Sequence, residues 1–304
     1  MRVECSCARV NCHADGRLGK PSLPGAPARK RDFLDALCVA RLEGVRVSPY
    51  AHRPMPTTEF LLIDISNSFT KLALASCGAL GACRPVATAE LNAASLKRLV
   101  RGWEFKRVVL SSVVPAREKI VRAFFKATRT PVLCVGPKLN LGVGVDYPRP
   151  EKIGADRLAN AAAAAALYGA PAVVVDFGTA VTFDILSPGK KYVGGVIAPG
   201  LAVMTEYLYQ RTALLPRIDL REPVSAIGKS TREAMMAGAV FGYRGLVREI
   251  LGQIRRELGS PKKLRVVATG GYAELIAAKL PAIQRVHPNL TLEGLRIIGT
   301  LNAG

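Results

Sequence analysis

Two aspartates, each at the end of an apolar run, are the residues of this sequence that most directly suggest chemistry. Asp176 ends the run VVVD and is followed by Gly178 and Thr179. A carboxylate inside a buried strand is costly unless it is paired or holds a metal. Gly178 permits a tight turn and a close approach of phosphate, and Thr179 adds a hydroxyl and an N–H that favour an anion. An ordinary β-hairpin is the alternative, but it does not require Asp within an apolar strand.

Asp64 ends an earlier apolar run, LLID, and begins a second polar turn. Asp64 could hold Mg²⁺ through water, because Mg²⁺ keeps several waters and uses few carboxylates. Asn67 and Ser68 could donate hydrogen bonds to phosphate oxygens, and Lys71 could add positive charge near a leaving group. A polar hairpin tip with a surface lysine explains the same turn.

The elements that must position these turns follow an alternating pattern. Stretches 61–74 and 173–186 are similar, which predicts a duplicated domain whose halves each supply one turn to a shared cleft. Apolar runs predict strands at 60–65, 71–76, 107–114, 131–136, 172–178, 181–186, 192–198 and 264–271. Helices are predicted at 91–101, 116–128, 155–168, 200–212, 231–257 and 272–280. This alternation predicts an α/β fold with helices on the faces of a sheet.

Composition narrows the class of protein. The chain has 304 residues and a formal net charge of +20, which fits either nucleic-acid binding or a basic enzyme surface that attracts anionic substrates. The sequence has no helix-turn-helix, zinc-finger or aromatic RNA-binding signature, and its basic residues are spread along the chain, which favours the enzyme. No apolar run reaches the roughly 18 residues of a membrane helix. The seven cysteines are irregularly spaced, as in a reducing cytosol.

The first 58 residues differ from the rest, since they are rich in arginine, lysine and proline. Residues 1–58 are therefore expected to form a basic, disordered extension. Met55 stands just before the first predicted strand, so it is a second candidate for the start of translation.

Eight motifs in order resemble those of type III pantothenate kinases, within the superfamily of sugar kinases, Hsp70 and actin. The resemblance runs from about Phe60 to the C-terminus. The motifs are DISNSFTK (64–71), Tyr147, GADR (154–157), DFGTAVTFD (176–184), GGVIAPG (194–200), RTALLP (211–216), STREAM (230–235) and TGG (269–271).

The resemblance implies a duplicated ribonuclease H-like fold. Each half, 59–168 and 169–304, would hold a mixed five-stranded sheet flanked by helices, with a cleft between them. The implied activity is ATP-dependent phosphorylation of pantothenate to 4'-phosphopantothenate, the first step of coenzyme A biosynthesis. A cytoplasmic homodimer would use Mg²⁺ and a monovalent cation, K⁺ or NH₄⁺, with no nucleic-acid or membrane partner. The alternatives are a non-catalytic accessory transcription regulator on the same fold, or a kinase for another small hydroxylated substrate.

The resemblance also implies a role for each matching residue. Asp156 would be the general base, Asp176 would hold the monovalent cation, and Asp64 would hold Mg²⁺ through water. The residues implied to bind ATP are Asp64, Ile65, Ser66, Asn67, Ser68, Phe69, Thr70, Lys71 and Thr179. Those implied to bind pantothenate are Tyr147, Gly154, Ala155, Asp156, Arg157 and Thr231, the last of them serving the neighbouring subunit.

The chemistry of Asp156 and Arg157 suits these roles. Asp156 could accept the proton of the substrate hydroxyl, and the planar donor fork of Arg157 matches a carboxylate. An aspartate favoured by the helix dipole, next to a surface arginine, is the alternative. The sequence departs from the family at Ser66, where glycine is usual. If that position needs a positive φ or an approach without Cβ, Ser66 would weaken ATP binding.

Overall fold

The computed structural model describes residues 58–303. The predicted extension, apart from Thr58, lies outside this range, as does Met55. Within it, no helix is both long and apolar enough to span a membrane.

The first sheet has five strands, and its central strand carries Asp64. The strand order is β3-β2-β1-β4-β5. The strands are β1 (Phe60–Ile65), β2 (Phe69–Ala75), β3 (Arg84–Ala87), β4 (Arg107–Ser112) and β5 (Val132–Cys134). Strand β1 pairs antiparallel with β2 and parallel with β4, so the sheet is mixed, as predicted.

The second sheet repeats this arrangement and adds one strand. Its order is β11-β10-β7-β8-β9-β6. The strands are β6 (Gly144–Val145), β7 (Ala172–Phe177), β8 (Ala180–Leu186), β9 (Lys191–Pro199), β10 (Arg265–Gly270) and β11 (Arg285–Val286). Five of them follow the order of the first sheet, which confirms the predicted duplication. The expected five-stranded second sheet has six strands, because the two-residue β6 pairs with the outer edge of β9.

Seven α-helices cover the sheets in the described range. They are α1 (Ala93–Leu99), α2 (Pro115–Ala127), α3 (Ala155–Leu167), α4 (Leu201–Arg211), α5 (Thr231–Glu257), α6 (Ala273–Ala277) and α7 (Leu290–Leu301). Their starts follow familiar rules: Asn92 forms a capping box with Ser95, Ser230 accepts a hydrogen bond from the Glu233 N–H, and Pro115 is the first residue of α2. The sequence analysis predicted all of these helices except α7.

Helices α3 and α7 form a layer shared by the two sheets. Leu62 of β1 and Val174 of β7 belong to one buried cluster together with apolar residues of both helices. The helices approach closely, because a Cβ added to Gly294 would lie 2.0 Å from the carbonyl oxygen of Ala159. The opposite faces of the sheets pack on α1 and α2 in the first half and on α5 and α6 in the second.

The alternation of side chains along each strand then aims both aspartates inward. Leu62 and Asp64 share one face of β1, and Val174 and Asp176 share one face of β7. Because Leu62 and Val174 both pack on the shared helical layer, Asp64 and Asp176 extend toward the same space at its edge.

Candidate functional site

The turns that follow the two aspartates meet at their tips. The Oγ of Ser68, between β1 and β2, lies 2.8 Å from the Oγ1 of Thr179, between β7 and β8. The second turn is tight, because the Gly178 N–H donates to the Ala180 carbonyl at 3.1 Å. The predicted convergence of two polar turns on one place is therefore present.

Three carboxylates and one lysine gather behind these tips. Burial raises the pKa of Asp64 to about 6; the nearby Lys71 opposes this shift, and the negative charges of Asp156 and Asp176 add to it. Burial also raises the pKa of Asp176, against the effect of Lys71 and with that of Asp156. The sequence-predicted base, cation ligand and Mg²⁺ ligand thus lie within electrostatic reach of one another.

Asp64 is almost fully buried, with 4% of its surface exposed. The Ser66 hydroxyl donates to its Oδ2 at 3.3 Å, whereas its Oδ1 is buried with no hydrogen-bond partner among residues 58–303. A buried carboxylate oxygen without a partner is costly, and it is the atom of Asp64 that a water or a hydrated cation would satisfy.

Ser66 does not require the conformational freedom of glycine. Outside glycine, the positive φ angles of the described chain belong to Arg129, Lys190 and Ser260, so Ser66 lies in an ordinary region. Its carbonyl also accepts a hydrogen bond from the Thr88 hydroxyl at 2.7 Å. The departure from the usual glycine therefore adds no backbone strain.

The other residues predicted to bind ATP differ in exposure. Ile65 and Thr70 are fully buried and face each other across the β1–β2 pair, and the Thr70 hydroxyl pairs with that of Thr88 at 3.0 Å, so these two residues shape the turn from inside the protein. Asn67 is exposed at the tip, and Phe69 is partly buried.

Asp156 lies in the first turn of α3, with Gly154 as the N-cap residue and Ala155 as the first helical residue. Its Oδ1 accepts a hydrogen bond from the Arg157 N–H at 2.8 Å. A Cβ on residue 154 would lie 2.5 Å from this oxygen, so glycine leaves room for the carboxylate. Burial raises the pKa of Asp156, and the backbone N–H and the charge of Arg157 oppose the shift.

Arg157 is held inside the protein by a residue absent from the predicted site. Its Nε donates to Asp184 Oδ1 at 2.6 Å. Its Nη2 lies 3.4 Å from the Phe183 carbonyl and would be 2.1 Å from a Cβ on Gly195. The guanidinium predicted to meet a substrate carboxylate is therefore partly satisfied by β8, and its Nη2 packs closely against Gly195 of β9.

Asp176 has a supporting residue that the sequence analysis also missed. The fully buried Asn160 donates to Asp176 Oδ2 at 3.4 Å and accepts from the Thr291 hydroxyl at 2.9 Å. On its other side, a Cβ on Gly270 would lie 2.5 Å from Asp176 Oδ1. Gly270, with φ +87°, thus lets this carboxylate pack closely against the end of β10. The spacing of Asn160 four residues after Asp156 on one helix was the available signal.

The glycines of the GGVIAPG motif serve packing around the site. Gly195 admits the guanidinium of Arg157, as described above. The Gly200 N–H donates to the Thr179 carbonyl at 3.1 Å, and a Cβ there would lie 2.3 Å from that oxygen. The motif therefore supports the Thr179 turn from behind.

Tyr147 and Thr231 lie at the edge of this group. Tyr147 is 39% exposed and contacts the buried Tyr192 ring edge-on, with centroids 6.2 Å apart. Thr231 is exposed at the start of α5. None of the hydrogen bonds found within residues 58–303 joins its side chain to the other candidates.

The arrangement suits phosphoryl transfer. Two hydroxyl-bearing turns can hold a phosphate chain between them, Lys71 can neutralise part of its charge, and Asp156 can accept a proton beside it. Because phosphoryl transfer needs positioning and charge neutralisation more than covalent chemistry, these parts are the ones it requires.

Comparisons with known proteins agree with this geometry. Residues 60–253 match the family model described as type III pantothenate kinase. A type III pantothenate kinase from Akkermansia muciniphila is 52% identical over 245 residues, which cover 80% of this chain and 99% of the relative. One from Methylacidiphilum infernorum is 43% identical over 241 residues, 79% and 88% of the two chains. The crystal structure of a Campylobacter jejuni protein assigned to the Baf family shares the fold, with a TM-score of 0.54 at 19% identity over 80% of this chain and 98% of that one.

Proposed function

This chain belongs to the type III pantothenate kinase family, and from that premise we propose which of its residues bind ATP and pantothenate and which one moves the proton. The protein is a phosphotransferase that uses ATP to phosphorylate pantothenate in coenzyme A biosynthesis. Its relatives do not favour the alternative of a non-catalytic regulator. The contact between Ser68 and Thr179, with three carboxylates behind it, is the observation that supports the division of roles.

ATP binds with its phosphates at the two turn tips. The hydroxyls of Ser68 and Thr179 donate to the phosphate oxygens, and the other residues of 64–71 form the turn that presents Asn67 and Ser68 to them. Lys71, which faces Asp64 across the β1–β2 pair, neutralises charge on the β- and γ-phosphates. The halves 59–168 and 169–304 act as two lobes, each of which contributes one turn.

Two cations complete the ATP site. Asp64 holds Mg²⁺ through water, in keeping with its buried and unpaired Oδ1. Asp176 holds the monovalent cation, K⁺ or NH₄⁺, through its carboxylate, in keeping with the second buried negative charge that the folded protein places near Asp64. Asn160 supports Asp176 Oδ2. When bound, these ions offset the negative charge of the phosphates.

Asp156 accepts the proton of the pantothenate hydroxyl. As the hydroxyl oxygen forms its bond to the γ-phosphorus, the bond from that phosphorus to the bridging oxygen breaks and ADP leaves. The proton passes to the Asp156 carboxylate. Burial raises the pKa of this group, which makes its carboxylate a better proton acceptor than that of an exposed aspartate.

Pantothenate lies against Tyr147, Gly154, Ala155 and Arg157, and a second copy supplies Thr231. Exposed apolar side chains on α4 and the segment after it support a homodimer, because patches of this kind mark protein contacts. They are Met204, Tyr207, Leu208, Leu214, Val224 and Ile227. We place the enzyme in the cytoplasm, in keeping with the free thiols of Cys77, Cys83 and Cys134.

A coupled assay of ADP release tests the assignment. Mg²⁺-ATP and pantothenate with K⁺ should give turnover, and replacing K⁺ with Na⁺ should lower it. ATP without pantothenate is the control for uncoupled hydrolysis. Turnover with other hydroxylated acids but not with pantothenate would refute the assignment of pantothenate as the substrate.

A further inference from the structure

The geometry points to Asp184 as a positioning residue for substrate recognition: we propose that it holds the Arg157 guanidinium so that the free edge of this group faces the pantothenate carboxylate. This inference rests on the proposed function, which places pantothenate beside Arg157. Asp184 itself does not touch the substrate, since it is fully buried.

The bond between Asp184 and Arg157 is short and largely removed from water. The Nε of Arg157 lies 2.6 Å from Asp184 Oδ1, and the side chains are 15% and 0% exposed. A charge-assisted hydrogen bond of this length fixes direction as well as distance. Surface ion pairs, by contrast, exchange freely with water and hold neither partner in place.

Stability alone does not explain a carboxylate at this position. The second oxygen of Asp184, Oδ2, is buried without a hydrogen-bond partner among the described residues. Burial also raises the pKa of Asp184 to about 7 in spite of the adjacent Arg157 charge. Apolar residues in place of both Asp184 and Arg157 would avoid both costs, so the pair is better explained by what it does to the Arg157 guanidinium.

Three neighbours fix the plane of the guanidinium. Asp184 binds Nε, the Phe183 carbonyl lies 3.4 Å from Nη2, and Gly195 lets Nη2 lie against β9. Within residues 58–303, Nη1 has no recorded hydrogen-bond partner. One nitrogen of the fork therefore remains for a ligand, and its direction is set by the other two.

Tyr147, the other side chain proposed to contact pantothenate, is also supported by a residue that binds Asp184. The hydroxyl of the buried Tyr192 donates to Asp184 Oδ1 at 3.4 Å, and the Arg157 guanidinium carbon lies 5.8 Å from the centre of the Tyr192 ring. Tyr147 packs edge-on against that ring. Asp184 and Tyr192 thus form one buried support behind both Arg157 and Tyr147.

The test compares pantothenate with an uncharged pantothenate amide as substrates of wild type and Asp184→Asn. We expect the variant to raise KM for pantothenate about 10- to 100-fold, the usual range for a lost charge-assisted hydrogen bond. KM for ATP and KM for the amide should stay within about threefold of wild type, since neither depends on the guanidinium. Glu293→Gln, which breaks the 2.7 Å ion pair to Arg296 Nε on α7, is the control and should change none of these values.

A double-mutant cycle separates positioning from general support of the fold. In an Arg157→Ala background, Asp184→Asn should have no further effect on KM for pantothenate. Equal increases in KM for pantothenate, the amide and ATP would show a structural role and overturn the proposal.

If Asp184→Asn fails to fold, Tyr192→Phe replaces it. This variant should raise KM about two- to fivefold, of the order of one weak neutral hydrogen bond, and only for pantothenate. An unchanged pantothenate KM in that variant also overturns the proposal. If the wild-type protein does not phosphorylate pantothenate, the proposed function itself is refuted.

Discussion

The hydroxyl oxygens of Ser68 and Thr179 lie 2.8 Å apart, although 111 residues separate them in the chain. Each stands at the tip of a hairpin, and each hairpin belongs to a different sheet. A phosphate chain that binds at these tips would compete with this contact for the two hydroxyl groups. The hydroxyl groups that now satisfy each other then serve the ligand.

Thr179 should matter for ATP binding through its hydroxyl. Thr179→Ala removes one donor to the phosphates and should raise KM for ATP about 10-fold or more, as expected for a hydrogen bond to a charged group. Thr179→Ser keeps the hydroxyl and should stay close to wild type. Initial rates at varied ATP and saturating pantothenate measure the effect. An equal rise in KM for ATP in both variants would show that ATP binding depends on the methyl group of Thr179 rather than on its hydroxyl.

Asp156 should control the chemical step. Asp156→Asn keeps the shape of the side chain but cannot accept a proton, and kcat should fall by at least about 10²-fold while KM for ATP changes little. In wild type, kcat should decline on the acidic side as the base is protonated. Because burial raises the pKa of Asp156 above 3.8, this decline should begin at a higher pH than for an exposed aspartate. Near-normal turnover by the variant would remove Asp156 from this role.

Asp64 should lower the stability of the ligand-free protein at neutral pH. Its pKa is raised from 3.8 to about 6, so as pH increases the unfolded chain ionises first and folding loses free energy between about pH 4 and 6. Above that range, Asp64→Asn should be more stable than wild type by about 3 kcal/mol, the value of a two-unit shift. Near pH 4 the difference should vanish.

Urea unfolding at pH 4.5 and 7.5 measures this effect in the absence of ATP and Mg²⁺. Asp146→Asn is the matched control, because Asp146 is exposed and makes only a 3.8 Å surface contact with Lys191. A gap between wild type and Asp64→Asn that does not change with pH would contradict the prediction.

Asn160 should affect the response to monovalent cations. Asn160→Ala removes the donor to Asp176 and should raise the K⁺ concentration needed for half-maximal activity about tenfold, the effect of one lost hydrogen bond to a charged group. It should also reduce the rise in melting temperature that KCl produces, measured against choline chloride at equal ionic strength. Thr291→Val, which removes the other partner of Asn160, should lower stability with a smaller effect on K⁺. An unchanged K⁺ response in Asn160→Ala would contradict the link.

Ser66→Gly should leave ATP binding nearly unchanged. Ser66 has no positive φ, so the freedom of glycine is not needed there, and KM for ATP should stay within about threefold of wild type. The variant should lose stability, on the order of 1 kcal/mol, from the added backbone entropy of the unfolded chain. A tenfold gain in ATP affinity would show instead that the Ser66 side chain obstructs the phosphates.

Much of the fold could be predicted because central strands that are buried on both faces appear in the sequence as short continuous apolar runs. Residues 60–65 and 172–177 are apolar up to an aspartate at the fifth position, and both are central strands. Helix α7 was missed for a physical reason. Gly294 and Gly299 lower its helix propensity, yet the close contact of Gly294 with α3 requires a residue without Cβ. Strand β6 has two residues and leaves no pattern to detect.

The sequence predicts the two polar turns of the candidate site, but not the buried residues that hold its side chains in place. Asp64, Asp176 and Thr179 stand in local motifs, so the sequence alone singles them out. Asp184 and Asn160 act through partners that only the folded chain brings close, since Asp184 on β8 meets Arg157 on α3 and Asn160 meets Thr291 of the last helix. The register between strands and the packing of α3 on α7 are needed to identify such residues.

Three side chains within the first six residues of α3 have different roles. Asp156 is proposed to bind the substrate hydroxyl, Arg157 contacts β8 and β9, and Asn160 donates to Asp176. An α-helix turns by about 100° per residue, so inserting or deleting one residue between Asp156 and Asn160 would rotate the side chains on one side of the change away from their partners. The number of residues in this stretch is therefore as important to the site as their identity, because a single turn of helix couples the proton acceptor to the support of Asp176.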